Sequence, residues 1–132
     1  MIEAPPAHPV SGKSFKVVTP PEVAAKWKAV ELSIQVTGRP KQRLRLSVGD
    51  RLKLTSTDLT LSVIAFAPSF KITGDAVTSS SDNLENPAVL LELKNPQGKV
   101  AEGWVFKKLP EFDTFRSDKV VVKLIEGLQN TP

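Results

Sequence analysis

The chain reads as an all-β protein: a single antiparallel β-sandwich or barrel of six or seven strands with one short N-terminal helix. Three observations predict this. Apolar and polar residues alternate with a period of two through several separate runs, the spacing of strands with one buried face. Turn-forming residues recur about every ten positions. No helical-period run alternates with the strands, so the units of a parallel sheet are missing. The 132 residues fit one domain. Residues 1–19 read as a flexible arm rich in proline, 20–127 as the domain and 128–132 as a tail.

The elements follow in order. Thr19-Pro20-Pro21-Glu22 resembles a helix start, with Thr19 as cap, prolines in the first turn and an acid near the positive end of the dipole. The helix is expected from Val23 to about Lys28, held by Val23 and Trp27. Val30, Leu32, Ile34 and Val36 then alternate with polar residues as a first strand, broken by Gly38-Arg39-Pro40. Leu44, Leu46 and Val48 make another run, and Arg51 to Leu54 resumes it beyond Gly49-Asp50. A glycine leading a two-residue turn predicts a hairpin here. Leu59 to Phe66 is apolar at nearly every position, as in a central strand covered on both sides, and Pro68 bends it. Gly74 to Asn86 is expected to be the longest polar loop. Ala88 to Lys94 and Val100 to Phe106 flank Asn95-Pro96-Gln97-Gly98, which suits a type I turn. Pairing Asn95 with Gly98 sets Val89 opposite Trp104, Leu91 opposite Glu102 and Leu93 opposite Val100. A loop with Phe112 and Phe115 leads to a last strand from Val120 to Ile125.

Composition removes several chemistries. With no cysteine, a disulfide, a thiolate metal site and a cysteine nucleophile are excluded. No apolar run reaches the roughly 18 residues of a membrane-spanning helix. The opening Met1-Ile2-Glu3-Ala4-Pro5-Pro6 lacks the basic and apolar regions of a signal peptide. The net charge of +4 belongs to the first half, where residues 1–66 carry ten Lys and Arg against five acids. It favours an anionic contact only weakly.

No motif completes a catalytic, metal or cofactor site. Gly12-Lys13-Ser14 imitates the end of a phosphate loop, but Ala7 stands where the first glycine belongs. His8, the single histidine, sits in the arm. Asp75, Asp82, Asn83, Glu85 and Asn86 offer oxygen ligands without EF-hand spacing. Glu102 has no evident partner carboxylate, and nothing fixes the separation of Glu111 and Asp113 that glycoside hydrolysis needs. Arg43, Arg45, Arg51 and Lys53 form a basic stripe expected on one face of the hairpin. That stripe suits anionic polymers or lipid headgroups. It lacks the interleaved aromatics of single-strand binders, so nucleic acid is not expected. Trp104, Phe112 and Phe115 concentrate the aromatic character near a proline-containing loop, as interface anchors do.

The ordered series Trp27-Lys28-Ala29-Val30, Val48-Gly49-Asp50, Leu59 to Phe66 with Pro68-Ser69-Phe70, Asn86-Pro87-Ala88-Val89, Gly98-Lys99, Gly103-Trp104-Val105-Phe106 and Pro110 before Phe115 resembles a bacterial envelope family known only as a domain of unknown function. The resemblance spans residues 27–126. It implies a periplasmic or lipoprotein setting, with a signal or lipid anchor trimmed from this chain, and it supplies no activity. Family members often carry cysteines, and an aromatic, acidic and histidine stretch where this chain has Phe115-Arg116-Ser117. The expectation is a non-catalytic envelope domain without cofactor. It would bind a protein or envelope component near Trp104, Phe112 and Phe115, or an anionic polymer through the basic hairpin.

Overall fold

The computed structural model describes residues 16–129. His8, the Gly12-Lys13-Ser14 motif and most of the expected N-terminal arm lie outside the described residues. The strands are β1 (Lys16–Val17), β2 (Trp27–Val36), β3 (Gln42–Ser47), β4 (Arg51–Lys53), β5 (Thr60–Ala67), β6 (Phe70–Thr73), β7 (Ala76–Ser79), β8 (Ala88–Asn95), β9 (Gly98–Phe106) and β10 (Val120–Gln129). Helix α1 spans Pro21–Lys26, and Pro110–Phe112 forms one 3-10 turn.

Two sheets make a sandwich, not a closed barrel. One has strand order β10-β2-β3 and the other β4-β5-β8-β9. The alternation in β2 explains the first: Val30, Leu32 and Ile34 point inward and are at most 4% exposed. They share one buried cluster with Leu61, Val63, Leu91 and Val105 of the opposing sheet. Each such side chain contributes about 1.5–3 kcal/mol when removed from water. Β-strand pairing closes the chain on itself, since β10 lies antiparallel to β2 from Val120 opposite Val36 onward.

A third sheet, β1-β7-β6, covers part of the four-stranded sheet's outer face. Phe70 sets its ring edge-on to Trp104 at 5.0 Å and to Phe106 at 4.8 Å. This layer buries the second face of β5 at Ala65 and Ala67. A bulge between Val63 and Ala65 turns Ile64 out to solvent, 41% exposed.

The structure corrects several expectations. The runs around Gly49 form no hairpin: β3 pairs with β2, and β4 pairs with β5 in the other sheet. Leu44 and Leu46 enter the core from one layer, Leu52 and Leu54 from the other. The chain crosses at a turn in which Asp50 N–H donates to Ser47 O and Gly49 has φ +99°. Glycine therefore occupies the third turn position, where a positive φ is required. Strand β5 captures this turn, as Gly49 N–H donates to Val63 O and Val63 N–H to Asp50 O.

The β8–β9 turn pairs Asn95 with Gly98 as expected, but the register then shifts between Leu93 and Lys94. Val100 is the extra residue, so Val89 faces Val105, Leu90 faces Trp104 and Glu92 faces Glu102. The expected 74–86 loop begins as strand: β7 pairs with β6 around Gly74, whose φ is +63°. The helix is capped by the Pro20 carbonyl, which accepts from Val23 and Ala24 N–H, and Thr19 makes no cap. Lys16 and Val17 pair with β7, while Leu128 and Gln129 belong to β10 rather than to a tail.

Candidate functional site

The sandwich sends the basic stripe to two opposite surfaces. Arg43 and Arg45 alternate with inward leucines on β3 and so point away from the three-stranded sheet. Arg43 Nε pairs with Glu31 Oε2 at 3.0 Å. Arg51 and Lys53 flank inward-facing Leu52 on β4 and point away from the other sheet. The four cations thus share no face, which corrects the expected basic hairpin. The cause is the crossing at Gly49.

The three aromatic candidates also separate. Phe115 is 7% exposed and belongs to the core. Trp104 is half-buried against Phe70. Phe112, on the 3-10 turn, is 58% exposed. A clasp fixes that turn to the free edge of β9. Trp104 N–H donates to Thr114 Oγ1 at 2.8 Å, and Thr114 N–H donates back to Trp104 O at 2.9 Å. Phe106 N–H donates to Asp113 Oδ1 at 2.7 Å. Burial pushes the Asp113 carboxyl upward, against the opposing pull of that Phe106 bond and of Arg116 and Lys123.

Gly103 makes the clasp possible. A Cβ there would lie 2.4 Å from Phe115 N, so only glycine lets the 113–115 segment lie this close. Lys108 extends the assembly: its Nζ donates to the carbonyls of Leu84 and Glu85 at 3.2 and 3.3 Å. Phe112 and the exposed Leu84 therefore stand on two loops tied together at one end of the sandwich. Sequence reading missed Leu84 and Lys108, which only this packing joins. Phe70, the cover of Trp104, had one legible signal in its place after the Pro68 bend.

Part of the oxygen-rich segment holds itself in place, while Asn86 Oδ1 is buried without a hydrogen-bond partner among the described residues. Ser69 Oγ and Ser81 Oγ donate to the two carboxylate oxygens of Glu85, at 3.4 and 3.3 Å. The Asp82 carbonyl accepts Trp27 Nε1–H at 2.7 Å. Asp75 belongs instead to the β6–β7 turn.

A second surface was not foreseen as a unit. The half of the four-stranded sheet's outer face that the third sheet leaves open forms a hollow of about 580 Å³. Strand register arranges its side chains in rows. One row runs Lys53, Thr60, Lys94, Lys99 and the next Arg51, Ser62, Glu92, Glu102. Lys99 Nζ sits 2.6 Å from Glu102 Oε1 and 3.6 Å from Glu92 Oε2. The Glu102 hydrogen bond foremost raises the Lys99 amine above its usual range. Glu102 thus has a cross-strand carboxylate neighbour in Glu92, with a lysine between them. Glu111 stands exposed on the 3-10 turn, while Asp113 is spent on the β9 backbone.

The chain matches no protein-family model, no curated protein and no solved structure.

Proposed function

We propose that the chain is a non-catalytic binding domain that captures a protein partner at the sandwich end bearing Phe112. The observation that supports this reading is an aromatic ring 58% exposed on a turn that cannot easily yield. Holding an apolar ring in water gains nothing for the isolated fold. Aromatic side chains presented on rigid supports are the usual anchors of protein interfaces, because little motion is lost on binding. Asp113, Thr114 and core-buried Phe115 supply the rigidity, and Leu84 adds apolar surface at the same end. The resemblance to a bacterial envelope family supports a periplasmic or envelope setting.

The test compares the immobilised wild-type chain with Phe112→Ala and Arg43→Ala/Arg45→Ala variants as baits in a bacterial envelope extract. One protein should be retained by the wild type and by the arginine variant and lost from Phe112→Ala. Equal retention by all three baits, or no specific retention, overturns the reading.

A further inference from the structure

We propose that the open hollow on the β4-β5-β8-β9 face binds an acidic saccharide, with its carboxylate or phosphate seated over Thr60 between Lys53 and Lys94. This site is separate from the Phe112 surface and does not depend on it.

Register places the three residues side by side across β4, β5 and β8. Neighbouring strands lie about 4.8 Å apart, so two lysines flank one hydroxyl from either side. A planar or tetrahedral oxyanion there can accept from both ammonium groups and from the hydroxyl. Lys53 Nζ rests on the neighbouring turn, donating to Thr57 O at 2.7 Å, and turns toward Thr60 to meet the anion. Lys94 is held loosely, 3.6 Å from Glu92 Oε1.

The rest of the lining decides the ligand class. Arg51, Lys53 and Lys94 face Asp58 and Glu92, three cations against two carboxylates. A densely charged polymer would meet those carboxylates at close range and be repelled. A saccharide carries few charges and many hydroxyls, and each hydroxyl both donates and accepts. Such a ligand can donate to Asp58 and Glu92 and accept from Arg51, while Ser62 and Thr60 floor the site. The hollow's volume falls within the usual 300–1,000 Å³ range of ligand sites. Ile64, turned out by its bulge, gives the sugar ring an apolar step at the inner end.

The test titrates the full chain, followed by amide NMR shifts, with tetragalacturonic acid, mannose 6-phosphate, a neutral galactotetraose and inorganic polyphosphate. At least one acidic saccharide should shift β4, β5 and β8 amides and bind at least tenfold more tightly than galactotetraose. The carboxylate and phosphate arms identify which anion is preferred. Lys53→Ala/Lys94→Ala should weaken binding at least tenfold and Thr60→Val several-fold. Arg43→Ala/Arg45→Ala, on the opposite face, should leave it unchanged. Equal binding of the neutral sugar, tighter binding of polyphosphate, loss in the Arg43/Arg45 variant, or no shift with either acidic saccharide overturns the proposal.

Discussion

Thr114 engages both backbone polar groups of Trp104, accepting its N–H through Oγ1 at 2.8 Å and donating its own N–H to the Trp104 carbonyl at 2.9 Å. A residue outside the sheet thus satisfies part of a strand edge that has no neighbouring strand among the described residues. It also places a loop residue where a β-bridge partner would stand. Replacing Thr114 by Val keeps the shape and removes the acceptor, leaving Trp104 N–H without it. The expected loss is about 0.5–1.5 kcal/mol by urea unfolding, the net worth of one hydrogen bond that water can reach. Gly103→Ala should cost more, about 1–3 kcal/mol or above, because its methyl must displace backbone rather than a side chain. A Gly103→Ala stability equal to wild type would show that the segment is not clasped.

Phe112 and Phe115, three positions apart, should respond oppositely to truncation. Phe115→Ala empties core space and should destabilise by about 3–5 kcal/mol. Phe112→Ala removes an exposed ring and should stay within about 0.5 kcal/mol of wild type. Chemical denaturation of both variants checks this. A large loss at Phe112 would make it a structural residue instead of a surface anchor.

Asp113 sets a pH dependence whose sign follows from its burial. Its folded-state value is raised, so the folded chain holds the proton to higher pH than the unfolded chain does. The group's contribution to stability is therefore fullest below the unfolded value of 3.8 and declines as pH rises through the folded value. Asp113→Asn keeps an acceptor for Phe106 N–H and abolishes that titration. Relative to wild type, the variant should gain stability as pH climbs from about 4 toward neutrality. Melting temperatures across that range measure it. A gain that shrinks with rising pH would mean Arg116 and Lys123 outweigh burial.

Much of the fold was legible because its causes are local. The strict alternation of Val30, Leu32 and Ile34 allows no other element, and Asn95-Pro96-Gln97-Gly98 carries its own turn chemistry. The crossing at Gly49 was hidden for a physical reason. Alternating leucines on both sides of a turn show which residues go inward, and do not show whether the two runs share a sheet. Val100 was hidden similarly, since an extra residue in a bulge resembles any other strand residue until its partner is known. The basic stripe failed with the hairpin that was to present it. The rows around Thr60 require the register of four strands, two sequence-adjacent pairs joined only by the long-range pairing of β5 with β8.

The partnership of β2 with β10 also constrains how the protein is made. The first long strand is synthesised well before its partner across residues 120–129. Until then Val30, Leu32 and Ile34 have a neighbour only on the β3 side. Between the making of β2 and the making of β10 the nascent chain must carry an unfinished sheet edge, a state open to aggregation and attractive to chaperones. A message truncated before Val120 would leave a product that cannot close its sheet and is a ready target for proteolysis.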